Sequence, residues 1–410
     1  MATRDSPRDA ACMTDSNSLA PSFESSLASS LASGHSRSLG ARSSFVDSIL
    51  IVRLSAMGDV IHTLPAATAL RRAFPEATLG WLIEERWAEL LCSLRYPRSG
   101  PRSRQRPLVD RVHTVNLAEW RRALFSFSTW QQIAVGLSQL RGIHYDAVVD
   151  FQGAVRSALM ARWSGARIVY GDSQPRENVA SMFYTRPIIL PTNGTHVIQQ
   201  AVALAEAIIP GASSPGISSA SPQCEVEFPI DEDAEKRIAE LTADIRNYAI
   251  LNPGAGWGAK MWPVERYGQV AHALAGEGLT ALVNCGPAEE ELGSAVVVAS
   301  EGTARKISCS VSELIALTRR ASLFIGGDTG PMHLAAALRI PVVAIFGPTN
   351  PARNGPFGTQ SIVLRSVRSV TDHSRHGDAE QGLLEITVDE VAGAARKLLA
   401  CRPPRASFEH

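Results

Sequence analysis

The sequence predicts an α/β protein of two domains, each a parallel sheet covered by helices on both faces, with a cleft between the carboxyl ends of the sheets. Three observations predict this. From residue 48 to about 209, short apolar runs of strand type alternate with helical patterns, the signature of strand–helix–strand units. A stretch rich in Gly, Ser and Pro (210–222) then interrupts the pattern, and the alternation restarts beyond it. Several strands also end in glycine-containing turns that carry polar groups, and open α/β sheets bind ligands at such carboxyl ends.

The elements follow in chain order. Residues 1–46 are dominated by Ser and Ala with scattered Arg and read as a disordered tail. The Ser and Arg suit a transit peptide, but Asp5, Asp9, Asp15 and Glu24 argue against one, and a misassigned start codon accounts for the tail equally well. The first domain, 47–209, opens with a buried-type strand at 48–54 and a helix running to about Phe74. Strands at 78–83 and 111–115, a helix near 129–141 and a strand at 145–150 complete its legible part. Residues 97–107, Pro- and Arg-rich, form a loop. A linker spans 210–228. The second domain, 229–400, carries strands at 248–252, 280–284, 323–325 and 342–346 and helices at 264–276, 288–300, 311–320 and 331–338, and 401–410 is a tail.

Composition bounds the function. The 410 residues are 45% hydrophobic and 20% charged with a formal net charge of zero, so nothing global favours nucleic acid. Six cysteines are scattered without metal-type spacing, which reads as a reducing cytosol with neither zinc site nor disulfide framework. No apolar run reaches the roughly 18 residues of a membrane span, and no secretory signal is recognisable. The lysines among 40 basic residues are only Lys236, Lys260, Lys306 and Lys397.

Three turns carry chemistry. After the first strand, 55–59 ends in Asp59, either a helix-capping carboxylate or one facing the cleft. After the strand at 248–252, Pro253-Gly254-Ala255-Gly256-Trp257-Gly258-Ala259-Lys260 lets backbone approach a ligand and offers Lys260 as a mobile charge for a diphosphate. The third turn, Gly326-Gly327-Asp328-Thr329-Gly330-Pro331-Met332-His333, reads as strand, tight turn and helix start. It gathers backbone N–H groups, a hydroxyl and a helix N-terminus at one point, an arrangement suited to phosphate. An ordinary capped helix is the plainer reading of that turn. None matches a dinucleotide or Walker pattern.

Met57-Gly58-Asp59-Val60-Ile61-His62-Thr63-Leu64-Pro65, Lys260-Met261-Trp262-Pro263, the 327–333 turn and Phe346-Gly347-Pro348-Thr349 resemble, in order and spacing, the ADP-heptose:lipopolysaccharide heptosyltransferases. The resemblance spans about 48–400, and segments 108–112, 145–153 and 176–184 are most like the heptosyltransferase I branch. It implies two Rossmann-like domains in the GT-B architecture, no metal and no cofactor. The activity implied is inverting transfer of heptose from ADP-heptose to the Kdo-lipid A inner core of lipopolysaccharide. By the same resemblance Asp59 is the general base that deprotonates the acceptor hydroxyl, and Lys260 neutralises the departing diphosphate. Gly58, Asp328, Thr329, Gly330 and His333 belong to the donor site, and either Glu289 or Glu290 binds ribose. Arg176, with Gln152 as a weaker candidate, lies on the acceptor side. The chain departs from that branch at Ala255-Gly256-Trp257-Gly258, which replaces hydroxyl residues before the lysine and leaves donor choice less determined.

Arg95, Arg98, Arg102, Arg104, Arg106, Arg111, Arg121 and Arg122 outnumber Asp110 and Glu119 and interleave with Tyr96, Trp120, Phe125, Phe127 and Trp130. This is either a solvated insertion or a surface for an anionic glycolipid and its membrane, which would place the protein at the cytoplasmic face of the inner membrane. Nucleic acid fits poorly. Two other functions share the frame. A sugar-nucleotide epimerase or hydrolase needs a further acid/base pair facing the donor, which is not evident. A non-catalytic nucleotide-sugar-binding protein predicts loss of Asp59 or Lys260, and both are present.

Overall fold

A computed structural model of the chain describes residues 46–123, 126–191, 195–210, 225–286, 289–372 and 377–401. The Ser/Ala-rich tail up to residue 45, most of the expected linker (211–224), Phe125 and the end of the chain from 402 lie outside them. Among the described residues twelve strands form two sheets, all pairs parallel. The first holds β1 (Ser48–Val52), β2 (Thr78–Glu84), β3 (Arg111–Val115), β4 (Ala147–Asp150), β5 (Ile168–Asp172) and β6 (Arg186–Ile188) in the order β3-β2-β1-β4-β5-β6. The second holds β7 (Tyr248–Asn252), β8 (Thr280–Asn284), β9 (Ala304–Ile307), β10 (Leu323–Gly327), β11 (Val342–Ile345) and β12 (Ser361–Leu364) in the order β12-β11-β10-β7-β8-β9. Counted from its own first strand, each sheet has the same doubly wound order. The chain reverses direction across the sheet between β1 and β4, and again between β7 and β10. Those are the switch points where such sheets open a crevice.

Both faces of each sheet are buried, and the two-residue period of a strand divides its side chains between them. Ile49 and Ile51 of β1 pack with Val60, Ile61 and Leu64 of the Met57–Ala73 helix, while Leu50 and Val52 pack with Val148, Ala158 and Val169 on the other face. In β7 and β10, Leu251 and Ile325 face one core and Ile250 and Phe324 the other. The first core also takes in Leu314, Ile315 and Leu334 from the second half. The Met57–Ala73 helix is therefore clamped between its own sheet and the Gly330–Ala337 helix, which brings the turn after β1 against the turn after β10.

The Arg-rich loop is ordered from within at Arg106, which corrects that residue's place in a solvated or lipid-facing run of charge, while Arg102 and Arg104 remain exposed. Arg106 is fully buried. Its Nε donates to Val109 O (3.1 Å), its Nη2 to Gly100 O (2.6 Å) and Pro101 O (2.9 Å), and its Nη1 to Pro97 O. Arg98 pairs with Glu85 and donates to Thr114 Oγ1, and Arg102 sits 3.6 Å from Asp110. A planar fork reaches several carbonyls at once, which a lysine does not. Arg106→Ala should therefore lower the thermal unfolding midpoint, each stranded buried carbonyl costing about 1–3 kcal/mol. Arg106→Lys should restore little of the loss, and Arg104→Ala, at an exposed position, should change almost nothing.

Candidate functional site

The loops leaving β1, β7 and β10 meet at the two switch points. Beyond β1 the chain enters the Met57–Ala73 helix, and beyond β10 Asp328 and Thr329 lead into the Gly330–Ala337 helix, with Pro331 in its first turn. The two helix starts abut because each has a bare α-carbon at the contact. A Cβ on Gly58 would lie 2.7 Å from the His333 ring, and one on Gly330 2.7–2.8 Å from the Met57 side chain. The first N–H groups of a helix have no partner within it, so two helix N-termini point their positive ends into one place.

Beyond β7 the chain makes a tight 3-10 turn, Gly258–Lys260. Lys260 Nζ lies 2.6 Å from Asp328 Oδ2 and 3.3 Å from Asp328 O, and 4.2 Å from the centre of the Trp257 ring. The lysine that the sequence presents as a mobile charge is thus clamped between a carboxylate and an indole, and both it and Asp328 are nearly buried. Asp328 Oδ1 is 3.1 Å from His333 Nε2, and His333 Nδ1 is 3.0 Å from His62 Nε2 on the opposing helix. Burial alone would raise the Asp328 carboxyl. The hydrogen bond and charge of His333, with the charge of Lys260, more than offset it and hold the group well below the usual carboxylate range. The Thr329 hydroxyl donates to Gly327 O at 3.3 Å.

Asp59 follows Gly58. Its Oδ2 accepts from Ala56 N–H at 3.1 Å and its Oδ1 pairs with Arg53 Nη2 at 2.9 Å, yet 43% of the side chain remains exposed. It caps the helix and also presents an open carboxylate beside the His333 turn. A cavity of about 1000 Å³ lies between β3 and the Phe127–Arg141 helix, and none of these groups lines it. A cavity of about 630 Å³ borders His62 and His333.

The family model for glycosyltransferase family 9 (heptosyltransferase) matches residues 137–383, more than half of the chain. The chain belongs to this family. It is 30% identical over 323 residues to lipopolysaccharide heptosyltransferase 1 of Escherichia coli (strain K12), covering 78% of this chain and 94% of that protein. Among solved structures, E. coli heptosyltransferase WaaC with ADP superimposes with a TM-score of 0.68 at 27% identity, over 86% of this chain and 99% of that one. The same enzyme with ADP-2-deoxy-2-fluoro heptose gives 0.65 at 27% identity, over 85% and 99%. The two-sheet fold is the GT-B architecture of these heptosyltransferases.

In this glycosyltransferase the remaining predicted residues fall into distinct settings. Glu289 and Glu290 are separated by their surroundings. The Glu289 carboxylate accepts from Gly286 N–H at 2.8 Å and lies over Gly254, where a Cβ would come within 2.2–2.5 Å of it. Glu290 turns outward and pairs with Lys306. Gln152 is buried, and its Oε1 accepts from Leu54 N–H at 2.8 Å, tying the end of β4 to the end of β1. Arg176 is exposed. Its backbone N lies 3.0 Å from where a Cβ on Gly153 (φ +64°) would stand, so that glycine brings the 176 loop to the β4 switch point. Sequence reasoning passed over Arg53 and His62 as site residues. An arginine closing an apolar strand was the available signal for Arg53, and His62 lay within the 57–65 segment of the resemblance with no role assigned to it.

Proposed function

We propose that this enzyme transfers heptose, with inversion, from ADP-heptose to a Kdo-lipid A acceptor of the lipopolysaccharide inner core. The observation that carries the reading is the Lys260–Asp328–His333 cluster at the start of the Gly330–Ala337 helix, with the open carboxylate of Asp59 beside it. Asp59 takes the proton of the acceptor hydroxyl as its oxygen attacks the anomeric carbon from the face opposite ADP. The bond to the diphosphate oxygen breaks, and Lys260, the Thr329 and Gly330 N–H groups and the helix N-terminus receive the charge that develops there. Lys260 then shares its ammonium between Asp328 and the phosphates. Glu289 accepts from the ribose hydroxyls, the role the sequence left open between two residues. The half 47–209, with Arg176, holds the acceptor, and 229–400 holds the nucleotide sugar. Names of the relatives, which are heptosyltransferases of lipopolysaccharide, support the donor and acceptor classes.

Incubation with ADP-heptose and a Kdo-lipid A acceptor, read by mass, tests this. A product heavier by one heptose is expected. Free heptose without transfer would point to a hydrolase, and altered donor of unchanged mass to an epimerase.

The acceptor is an anionic glycolipid, so the enzyme works at the cytoplasmic face of the inner membrane. Among the described residues no helix is long and apolar enough to cross a membrane. The surface that suits a peripheral contact is the Phe127–Arg141 helix, where Phe127 and Trp130 are exposed, with the exposed Arg121 and Arg122 just before it in the chain. Replacing Phe127 and Trp130 together by Ser should weaken sedimentation with anionic vesicles by about tenfold or more, since each aromatic contributes roughly 1.5–3 kcal/mol when fully buried. Unchanged vesicle binding would remove this helix from the membrane contact.

A further inference from the structure

We infer that Arg53 is a positioning residue for the transfer: its guanidinium clamps the Asp59 carboxylate to the turn after β4, so that the base and the acceptor side keep one geometry. The inference rests on the reading of Asp59 as the base and of the Arg176 side as the acceptor side. It gives a role to a cation that the proposed chemistry does not use.

Arg53 follows β1 directly, and its backbone is pinned to β2. Its N–H donates to Leu82 O at 3.2 Å, and its carbonyl accepts from Trp81 Nε1 at 3.1 Å. The side chain is only 16% exposed, and its fork reaches two places at once. Nη2 meets Asp59 Oδ1 at 2.9 Å, and Nη1 donates to Phe151 O. Nε is buried without a partner among the described residues, so the guanidinium is held by those two contacts. Phe151 O is itself a fixed point. Phe151 N–H donates to Val52 O at 3.0 Å. The buried Asp150 carboxylate braces the turn beyond it, accepting from Gln152 N–H (2.9 Å), Gly153 N–H (3.4 Å), Ser157 Oγ (2.9 Å) and Tyr184 OH (2.8 Å). The same turn carries the Arg176 loop, because Glu177 N–H donates to Gly153 O at 2.9 Å and Val155 N–H to Glu177 Oε2 at 2.9 Å. Arg53 thus joins the base to the turn on which the acceptor side is built.

A cross-link between strand ends does not account for this arrangement. The ends of β1 and β4 are already tied by Phe151 N–H to Val52 O and by Leu54 N–H to Gln152 Oε1 at 2.8 Å. What the guanidinium adds is the contact with Asp59. Ala56 N–H holds Oδ2 at 3.1 Å, so with Arg53 on Oδ1 two donors set the plane of the carboxylate, while 43% of the side chain stays open. A carboxylate offers about four acceptor positions, so a proton can still be taken on the open side. Without Arg53 one donor remains, and the carboxylate is free to turn about its Cβ–Cγ bond. A reacting group displaced by about 1 Å loses about 100-fold in rate.

With ADP-heptose and a Kdo-lipid A acceptor both saturating, Arg53→Ala should lower kcat by about 10- to 100-fold while ADP affinity stays within about twofold of wild type. Arg53→Lys should recover part of the rate, since an ammonium can meet Asp59 without the fork that also reaches Phe151 O. A double-mutant cycle decides between positioning and plain structure. With Asp59→Asn already in place, Arg53→Ala should change kcat by less than about twofold, because a residue that acts through the base then has no base to position. An equal loss in both backgrounds would give Arg53 a structural or acceptor-binding role and overturn the inference, as would a wild-type kcat in Arg53→Ala. Should Arg53→Ala fail to fold, the same cycle with Arg53→Met, which keeps the buried arm and removes the guanidinium, decides by the same outcomes. Wild-type turnover in Asp59→Asn would instead remove the base itself, and this inference with it. Collapse of Asp59→Asn beside an intact Arg53→Ala would remove the inference and leave the base in place.

Discussion

Asp59→Asn should reduce turnover by about two to four orders of magnitude while leaving ADP affinity within about twofold, the range expected when a general base is lost. The amide keeps an oxygen for Ala56 N–H, so the start of the Met57–Ala73 helix should stay capped. The pair with Arg53 is lost, but 43% of the Asp59 side chain is open to water, which screens the pair and limits what it contributes to stability. An unchanged melting temperature beside a collapsed kcat would therefore place the defect in proton transfer. Turnover within about threefold of wild type would exclude Asp59 as the base. Asp59→Ala, which also removes the cap, should lose a further fraction of stability of about 1 kcal/mol without a larger loss of rate.

What the sequence disclosed follows the physics of burial. Central strands such as β1, β7 and β10 are covered on both faces and read as apolar runs, and β3 coincides with its expected span of 111–115. The other edge strands, β6, β9 and β12, were not legible. β6 is only Arg186-Pro187-Ile188, with a proline that an edge tolerates and a centre does not, and β12 is partly exposed. β5 and the Val155–Trp163 helix also escaped, each short and mixed in polarity. The motif turns were visible because glycine, proline and rare polar residues cluster locally. Their meeting was not, since His62 and His333 are 271 residues apart. Two adjacent glutamates look alike in a sequence, and the bare Gly254 beneath Glu289 separates them. Arg106 was misread for a related reason: composition counts its charge but not the four carbonyls folded around it.

Lys260→Ala should damage both binding and folding, and the two effects can be separated. Lys260 and Asp328 form a buried pair at 2.6 Å, so removing the lysine leaves a buried carboxylate with His333 as its remaining partner. Breaking such a pair costs about 3–5 kcal/mol, to be read as a lower urea midpoint. Adding Asp328→Asn removes the stranded charge, so the double variant should regain much of that stability. It should not regain the donor, because the ammonium proposed to meet the diphosphate is still missing. A lost hydrogen bond to a charged group is worth about 1.5–3 kcal/mol, or roughly a 10- to 150-fold weaker ADP complex. Lys260→Arg should recover only part, since a planar fork does not replace a compact ammonium over the Trp257 ring. The pH dependence has a fixed sign. The folded Asp328 carboxyl is held below its unfolded value, so its stabilisation is complete above about pH 3.9 and is lost as pH falls further. Acid unfolding of Asp328→Asn should accordingly be shallower than that of the wild type. ADP affinity in Lys260→Ala equal to wild type would remove Lys260 from the donor site, whatever the change in stability.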